Sequence, residues 1–176
     1  MLPFIADYDR LVREFSWVLP DRYNMATHAC DGWAARAPER VALHLKGPGG
    51  WRTVSYGALS ALSNRLARGL AAQGIGKGDR VAILLPQSVE VLATHFAVYK
   101  LGAIAVPLAG AFGVEAIFYR LENSGAKALI TDAEGLAKLP VRPDGVALVV
   151  SVNGAAAGTL AFDDLVTPAS DAPFAV

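Results

Sequence analysis

Short apolar runs and stretches of helical periodicity alternate from about residue 80 to residue 152. The apolar runs cover residues 80–86, 103–108, 127–131 and 146–152. Because each run is apolar throughout instead of alternating with polar residues, the pattern indicates strands covered on both faces, as in parallel sheets. The intervals between runs suit strand–helix–strand units with right-handed crossovers. The sequence therefore predicts a three-layer α/β/α fold with a mainly parallel sheet.

Helix signals fill the intervals between these runs. Ser88 is a capping residue in front of a predicted helix over 89–101, and Gly102 supplies its end. A second helix is predicted near 114–123, and a weaker helical turn around 134–139. Each predicted strand is thus joined to the next by one helical segment.

A different pattern precedes residue 80. Two segments, 41–47 and 51–56, flank Gly47-Pro48-Gly49-Gly50 and predict an N-terminal β-hairpin with a four-residue loop. Ser55 then caps a predicted helix over 58–72, whose leucines recur at helical spacing.

The two ends of the chain carry weaker signals. The first 25 residues contain several aromatic side chains without a clear period, and we predict that they wrap along a surface. A short helix is predicted over 31–37. Residues 167–171 indicate a turn, and residues 173–176 begin a new apolar run that predicts the opening of a strand. The predicted organisation is a wrapping segment (1–25) followed by an incomplete α/β lobe (26–176).

Composition adds that this lobe has few charges. The chain has 176 residues, of which 53% are hydrophobic and 18% charged, with 16 basic and 16 acidic side chains. This balance excludes a disordered tail and a basic nucleic-acid-binding arm, so no nucleic-acid partner is expected. Zero net charge leaves little to keep apolar surfaces apart, and we expect a homo-oligomer that forms through uncovered apolar surface.

Neither of the two long uncharged stretches predicts a membrane span. Residues 101–114 are too short and contain Pro107, and residues 145–162 are interrupted by polar residues and glycines. Cys30 is the single cysteine, which excludes an internal disulfide and favours a reducing compartment. The expected location is cytoplasmic.

Few residues outside the predicted core suggest chemistry. Gly74-x-Gly76-x-Gly78 lies between a helix and the following strand, whereas phosphate-binding glycines lie between a strand and the following helix, so a tight turn is predicted. One histidine and one cysteine at positions 28 and 30 do not complete a metal site. The loop 109–113 has two interpretations, a backbone approached by a flat ring or phosphate and a small-residue connection that permits tight packing.

The combined string is more specific than any single motif. It contains WVLPDRYNMATHACDGWAARAPERVAL, GDRVAILLPQ, AVYKLGAIAVPL and FGVEAIFYRLENSGAKALITD. Over residues 15–176 the chain resembles the start of an acyl-CoA synthetase of the adenylate-forming (AMP-binding) ligase superfamily. The opening W-x-x-P-x-x-Y-N is similar to the branch that acts on acetate, medium-chain or aromatic acids.

The resemblance implies an ATP- and Mg²⁺-dependent carboxylic acid–CoA ligase. In that reaction the acid is activated as an acyl-adenylate and then transferred to CoA. The family's phosphate loop, its adenine and ribose segments and its C-terminal domain with a catalytic lysine have no counterpart in these 176 residues. The resemblance therefore assigns no catalytic residue and no metal ligand here, and it predicts that the fragment is inactive without the missing C-terminal part.

What the resemblance assigns is part of the CoA side. In related synthetases the loop that matches Ala109-Gly110-Ala111 approaches the CoA adenine. The stretch that matches residues 134–138 supplies basic contacts to CoA phosphates in some members, and Lys138 is the basic residue of that stretch here. Gly110, Ala111 and Lys138 are thus candidate CoA contacts. The competing hypothesis is a stand-alone α/β ligand-binding or protein-interaction module without catalysis.

Overall fold

A computed structural model describes residues 4–17 and 20–176. Its helices are α1 (Tyr8–Glu14), a π-helical turn (Thr27–Asp31), α2 (Gly32–Arg36), α3 (Tyr56–Ala72), α4 (Val89–Lys100), α5 (Val114–Ser124), α6 (Ala133–Ala137) and α7 (Phe162–Val166). Its strands are β1 (Val41–Gly47), β2 (Gly50–Ser55), β3 (Arg80–Leu84), β4 (Ile104–Pro107), β5 (Ala128–Thr131), β6 (Leu148–Ser151) and β7 (Leu160–Ala161).

The strands form two separate sheets. Strands β1 and β2 pair antiparallel as a hairpin, and the other five form a parallel sheet in the order β4-β3-β5-β6-β7. The predicted α/β fold, with its parallel sheet and N-terminal hairpin, is confirmed. Among the described helices, none is long and apolar enough to cross a membrane.

Alternate residues of the central strand β3 enter different hydrophobic clusters. Val81 and Ile83 pack with residues of α3, α4 and α7, whereas Ala82 and Leu84 pack with residues of α5 such as Ile117. Since successive side chains of a strand point to opposite faces, the sheet is covered on both faces. This coverage is the reason that the strands read as continuous apolar runs.

The predicted caps set the helix boundaries. The hydroxyl oxygen of Ser55 accepts the Ala58 amide at 3.2 Å, and that of Ser88 accepts the Val91 amide at 3.2 Å. Gly125 ends α5 in the left-handed conformation with φ of 59°. Short polar side chains and glycine thus satisfy backbone groups that a helix leaves unpaired at its ends.

Two local predictions are wrong. The hairpin loop contains two residues, Pro48 and Gly49, because Gly47 and Gly50 pair across the strands. Residues 173–176 are not assigned to a strand. Instead, carbonyl oxygens around residue 173 accept hydrogen bonds from the side chain of Arg68, which replaces the strand pairing that the apolar run suggested.

Three short elements were not predicted. Strand β7 has two residues and α7 has five, and both are too short to show a period. Helix α7 packs closely on α3 at Gly69, where an added Cβ would lie 2.5 Å from the Leu165 carbonyl oxygen. Helix α1 contains no buried residue. The wrapping of residues 1–25 stays a prediction, of which residues 1–3 and 18–19 lie outside the described part.

The side chain of Lys100 is buried where the π-helical turn, α3 and α4 meet. Lys100, at the end of α4, has a side chain with 0% exposure. Its ammonium donates to Asp31 Oδ1 at 2.8 Å, Ser63 Oγ at 2.8 Å and Asn64 Oδ1 at 2.5 Å. Because an ammonium has three protons, these partners satisfy it fully. Asp31 also accepts from Ser60 Oγ at 2.6 Å, so the network joins the π-helical turn, α3 and α4.

We predict that Lys100→Met lowers the free energy of unfolding by about 3 kcal/mol, because the substitution leaves a partly buried Asp31 carboxylate without its cation. The matched control is Lys127→Met, which removes a lysine with a 41% exposed side chain and a 2.9 Å ion pair to Asp79. Such exposed pairs contribute below about 1 kcal/mol. Urea unfolding followed by circular dichroism measures both changes, and equal losses would contradict the prediction.

Asp79 gives stability a dependence on acidic pH. The hydrogen bond from Lys127, and then that from the Gly76 amide at 2.9 Å, hold the pKa of the Asp79 carboxyl below its usual value. The unfolded chain therefore binds a proton at higher pH than the folded one. This contribution to stability is present above the unfolded pKa of about 4 and is lost as the pH falls through the folded pKa.

We expect Asp79→Asn to destabilise the protein at pH 6 and to have progressively less effect below about pH 4. Urea unfolding midpoints of the two proteins, measured from pH 6 to pH 3, give this difference. Asp144→Asn serves as the control, since Asp144 is exposed and makes no ion pair in the described part of the chain. A pH-independent effect of Asp79→Asn would contradict the assignment.

Candidate functional site

The order of the parallel strands changes direction at β3. The next strand in the chain, β4, lies on one side of β3, and the strand after it, β5, lies on the other. Ligands of open α/β sheets favour the crevice beyond the carboxyl ends of the strands at such a point. The strand order therefore predicts a ligand crevice at the carboxyl ends of β3 and β5.

In this protein that crevice is filled by the chain itself. Thr131, at the end of β5, donates from Oγ1 to the Leu84 carbonyl oxygen at 2.9 Å, and Thr131 is fully buried. Gly135 of α6 lies directly over this pair, where an added Cβ would be 2.0 Å from Thr131 Oγ1. No side chain fits there, and the accessible part of this edge is the neighbouring loop.

The loop after β4 is the open part of this edge. Leu108 anchors it, because the Leu108 amide donates to the Ile83 carbonyl oxygen at 2.9 Å. The residues that follow, 109–111, are exposed. No heavy atom beyond its chain neighbours lies within 4 Å of a Cβ built on Gly110. A flat ring or a phosphate can thus reach this backbone, as one interpretation of the loop requires.

Lys138 reaches the same loop from the far end of α6. Its ammonium donates to the Gly110 carbonyl oxygen and lies 3.9 Å from a carboxylate oxygen of Glu134. The three predicted site residues are therefore together, with Gly110 bonded to Lys138 and Ala111 next along the chain. The arrangement provides an exposed backbone beside one cation, which suits an aromatic ring that carries phosphate groups.

Sequence reasoning missed the second cation of this region. The guanidinium of Arg120 lies 4.1 Å from the ring centroid of Phe112 and donates to the Ala116 carbonyl oxygen at 2.9 Å. Phe112 in turn packs against the cluster that contains Ile117. Arg120 thus braces the end of the loop through a cation–π contact. The eight-residue separation of Arg120 and Phe112 is no recognised motif.

The structure also shows the surroundings of Gly74, Gly78, His95 and Cys30. Gly74 and Gly78 have φ of 80° and 82° in the connection between α3 and β3, which confirms the predicted turn. The Nδ1 of His95 lies 3.2 Å from the Tyr99 hydroxyl, and burial lowers the pKa of His95. Burial, and then Asp31, raise the pKa of the Cys30 thiol to about 11.

The part of the chain that the structure describes contains no metal-ligand cluster. Within residues 4–17 and 20–176, no group of three His, Cys, Asp or Glu side chains could hold a metal ion. His28 is exposed, while Cys30 two residues later is buried, so the pair does not converge on one point.

Comparisons with known proteins agree with the fold. The model of the AMP-binding enzyme family matches residues 30–172, and the chain belongs to that family. The acetyl-coenzyme A synthetase of Thiobacillus denitrificans is 32% identical over 136 residues, which are 76% of this chain and 21% of the relative. The long-chain-fatty-acid–CoA ligase FadD13 of Mycobacterium tuberculosis is 38% identical over 105 residues, covering 58% of this chain and 21% of the ligase.

A solved structure extends the match to nearly the whole chain. The acyl-CoA synthetase of Brucella canis superposes with a TM-score of 0.85 at 29% identity, covering 96% of this chain and 33% of that one. The resemblance to acyl-CoA synthetases is therefore confirmed. The chain spans between about a fifth and a third of the length of these relatives.

Proposed function

We propose that this chain is the N-terminal part of an ATP-dependent carboxylic acid–CoA ligase and that its loop 109–113 forms part of the CoA site. The observation that carries the proposal is the family match over residues 30–172, together with the meeting of Lys138 and Gly110 at the open edge of the sheet. An acetyl-coenzyme A synthetase matches over 76% of this chain, and the structure of an acyl-CoA synthetase covers 96% of it.

The proposed reaction has two steps. A carboxylate oxygen attacks the α-phosphorus of ATP, and the bond between the α-phosphorus and the bridging oxygen of the β-phosphate breaks. Pyrophosphate departs, and the acyl-adenylate is formed. The CoA sulfur, having lost its proton, then attacks the acyl carbon, and AMP departs with the bonding electrons. Mg²⁺ supplies neutralisation of phosphate charge in this chemistry. No residue of this chain is proposed to hold Mg²⁺ or to take part in either bond change.

The residues of this chain act by binding. The exposed backbone at 109–111 leaves room for the adenine ring of CoA, because Gly110 has no side chain and the space around a Cβ built on it is open. Lys138 is placed to exchange the Gly110 carbonyl for a CoA phosphate, which is a better partner for an ammonium. The finer proposal is that Gly110 and Ala111 contact the ring and that Lys138 contacts a phosphate.

Three further proposals concern the setting of the protein. The remaining part of a ligase is its proposed partner, because this chain covers only 21% of each of two relatives and 33% of a third. Self-association is supported by the exposure of Phe4 (95%), Tyr8 (75%) and Trp17 (73%). A cytoplasmic location is supported by the single buried thiol of Cys30, since disulfide-free chains are typical of reducing compartments.

We expect the 176-residue chain to release no pyrophosphate from ATP with Mg²⁺, CoA and acetate, octanoate or benzoate. The reason is that the family's phosphate loop and its adenine and ribose segments have no counterpart in these residues. A coupled pyrophosphate assay measures this. The Brucella canis acyl-CoA synthetase, assayed with the same acids, is the positive control for the reagents. Acid-dependent pyrophosphate release by the chain would show that it holds an adenylation site of its own.

We also expect CoA at millimolar concentration to shift the amide NMR signals of residues 109–113 and 136–139. Lys138→Met should weaken that binding about fivefold, corresponding to the loss of about 1 kcal/mol from one exposed charge contact. Lys46→Met is the matched control and should leave the affinity for CoA unchanged. Lys46 is an exposed lysine of the two-stranded hairpin, whereas Lys138 follows α6 beside the parallel sheet. Equal affinities for the Lys138 variant and the wild type would overturn the proposed CoA contact.

A further inference from the structure

Residues 170–173 present four successive carbonyl groups to helix α3. Arg68 Nη1 donates to the carbonyl oxygens of Ser170 at 3.0 Å and Ala172 at 2.8 Å, and Nη2 donates to that of Pro173 at 3.0 Å. Asn64 Nδ2 donates to the carbonyl oxygen of Asp171 at 2.9 Å. Two side chains one helical turn apart thus hold every carbonyl of this segment, and we call them the α3 clamp.

The clamp compensates for the lack of strand pairing here. Residues 170–176 belong to no helix or strand, and Pro173 has no amide proton to donate. A segment without backbone partners would keep its conformational freedom, whose loss costs about 1–2 kcal/mol per residue. Arg68 suits this task because its planar guanidinium presents several donors in a fixed fork.

The buried lysine fixes the orientation of Asn64. An asparagine side chain has an oxygen that accepts and a nitrogen that donates, and Lys100 can only donate. The atom that faces the Lys100 ammonium at 2.5 Å must therefore be Oδ1, which turns Nδ2 toward Asp171. Asn64 is 4% exposed, so water has little access to either end. Lys100 thus acts on residue 171 through Asn64.

The clamp also sets the position of the residues that follow. Arg68 Cζ lies 5.4 Å from the ring centroid of Phe174, and Phe174 packs against the cluster shared by the sheet, α3, α4 and α7. Residues 174–176 line an open groove of about 1370 Å³, which residues 20–24 also line. The direction of the chain after residue 173 is thereby determined by α3.

We propose that Asn64 and Arg68 are positioning residues that hold residues 170–173 in one conformation, and that Lys100 orients Asn64 for this purpose. The clamp directs residues 174–176 along the groove. On the proposed function, these residues lead from the parallel sheet into the remainder of a ligase, and the clamp fixes where that remainder begins. Only this last statement rests on the proposed function.

Backbone ¹⁵N relaxation of the 176-residue chain tests the clamp directly. In the wild type, we expect order parameters of about 0.85 for the amides of residues 171, 172, 174 and 175, as in rigid backbone. Arg68→Met removes three of the four carbonyl contacts, and the order parameters should fall below about 0.6, while those of β3 and β5 stay unchanged. Arg68→Lys, which keeps the charge but lacks the fork, should give intermediate values.

Arg65→Met is the matched control on the same helix. Arg65 contacts the same segment, but through a 3.5 Å ion pair to the side chain of Asp171, which is 66% exposed. Such a surface pair contributes little, so the order parameters should stay at the wild-type values. Wild-type values in Arg68→Met, or equal losses in Arg65→Met and Arg68→Met, would overturn the clamp.

Two variants separate the parts played by Asn64 and Lys100. Asn64→Asp retains an oxygen for Lys100 but cannot donate to Asp171, so mobility should increase at 171 and 172 without loss of the overall fold. In Lys100→Met, kept folded with trimethylamine N-oxide, the side-chain amide protons of Asn64 should exchange with solvent at least tenfold faster. Unchanged exchange would overturn the role of Lys100. Because these measurements need neither ATP nor CoA, their outcome is independent of the ligase assays.

Discussion

The buried ammonium of Lys100 is the interaction on which the arrangement of the N-terminal half depends. An unpaired charge in a protein interior costs several kcal/mol, and this cost is offset only when geometry and hydrogen bonds are complete. Here Asp31, Ser63 and Asn64 each accept one hydrogen bond from the ammonium. A shift of α4 against α3 or the π-helical turn would leave a buried donor unsatisfied, so the network specifies one packing of these elements.

The parallel sheet shows how packing determines which part of a sheet edge stays accessible. Its strand order places a natural crevice at the ends of β3 and β5, but Gly135 brings α6 so close that Thr131 and Leu84 fill the space. The neighbouring loop, with Gly110 exposed and Lys138 bonded to it, is what remains accessible. Proximity of a cation and an open backbone at this edge is consistent with a phosphate-bearing ligand.

Local sequence signals predicted local structure well where the chain is regular. Ser55 and Ser88 cap their helices as expected, and Gly125 ends α5. The strand predicted at the end of the chain was wrong, because a distant side chain replaced the local signal. The apolar run 173–176 predicts the opening of a strand. In the structure, Arg68 instead donates to the carbonyl oxygens of Ser170, Ala172 and Pro173 from a position more than 100 residues away.

The sequence by itself determined the class of fold and the order of the longer helices and strands, because hydrophobic periodicity and capping residues act over a few positions. The family followed from the resemblance of the combined string to acyl-CoA synthetases. Only the tertiary structure decided which side chains accept hydrogen bonds from Lys100. It also decided that Thr131 and Gly135 fill the crevice at the ends of β3 and β5, and that Lys138 donates to the Gly110 carbonyl oxygen. Lys100 lies 69 residues from Asp31 and 36 from Asn64, and Lys138 lies 28 from Gly110. No periodicity encodes such pairs, since their geometry exists only after the helices have packed on the sheet.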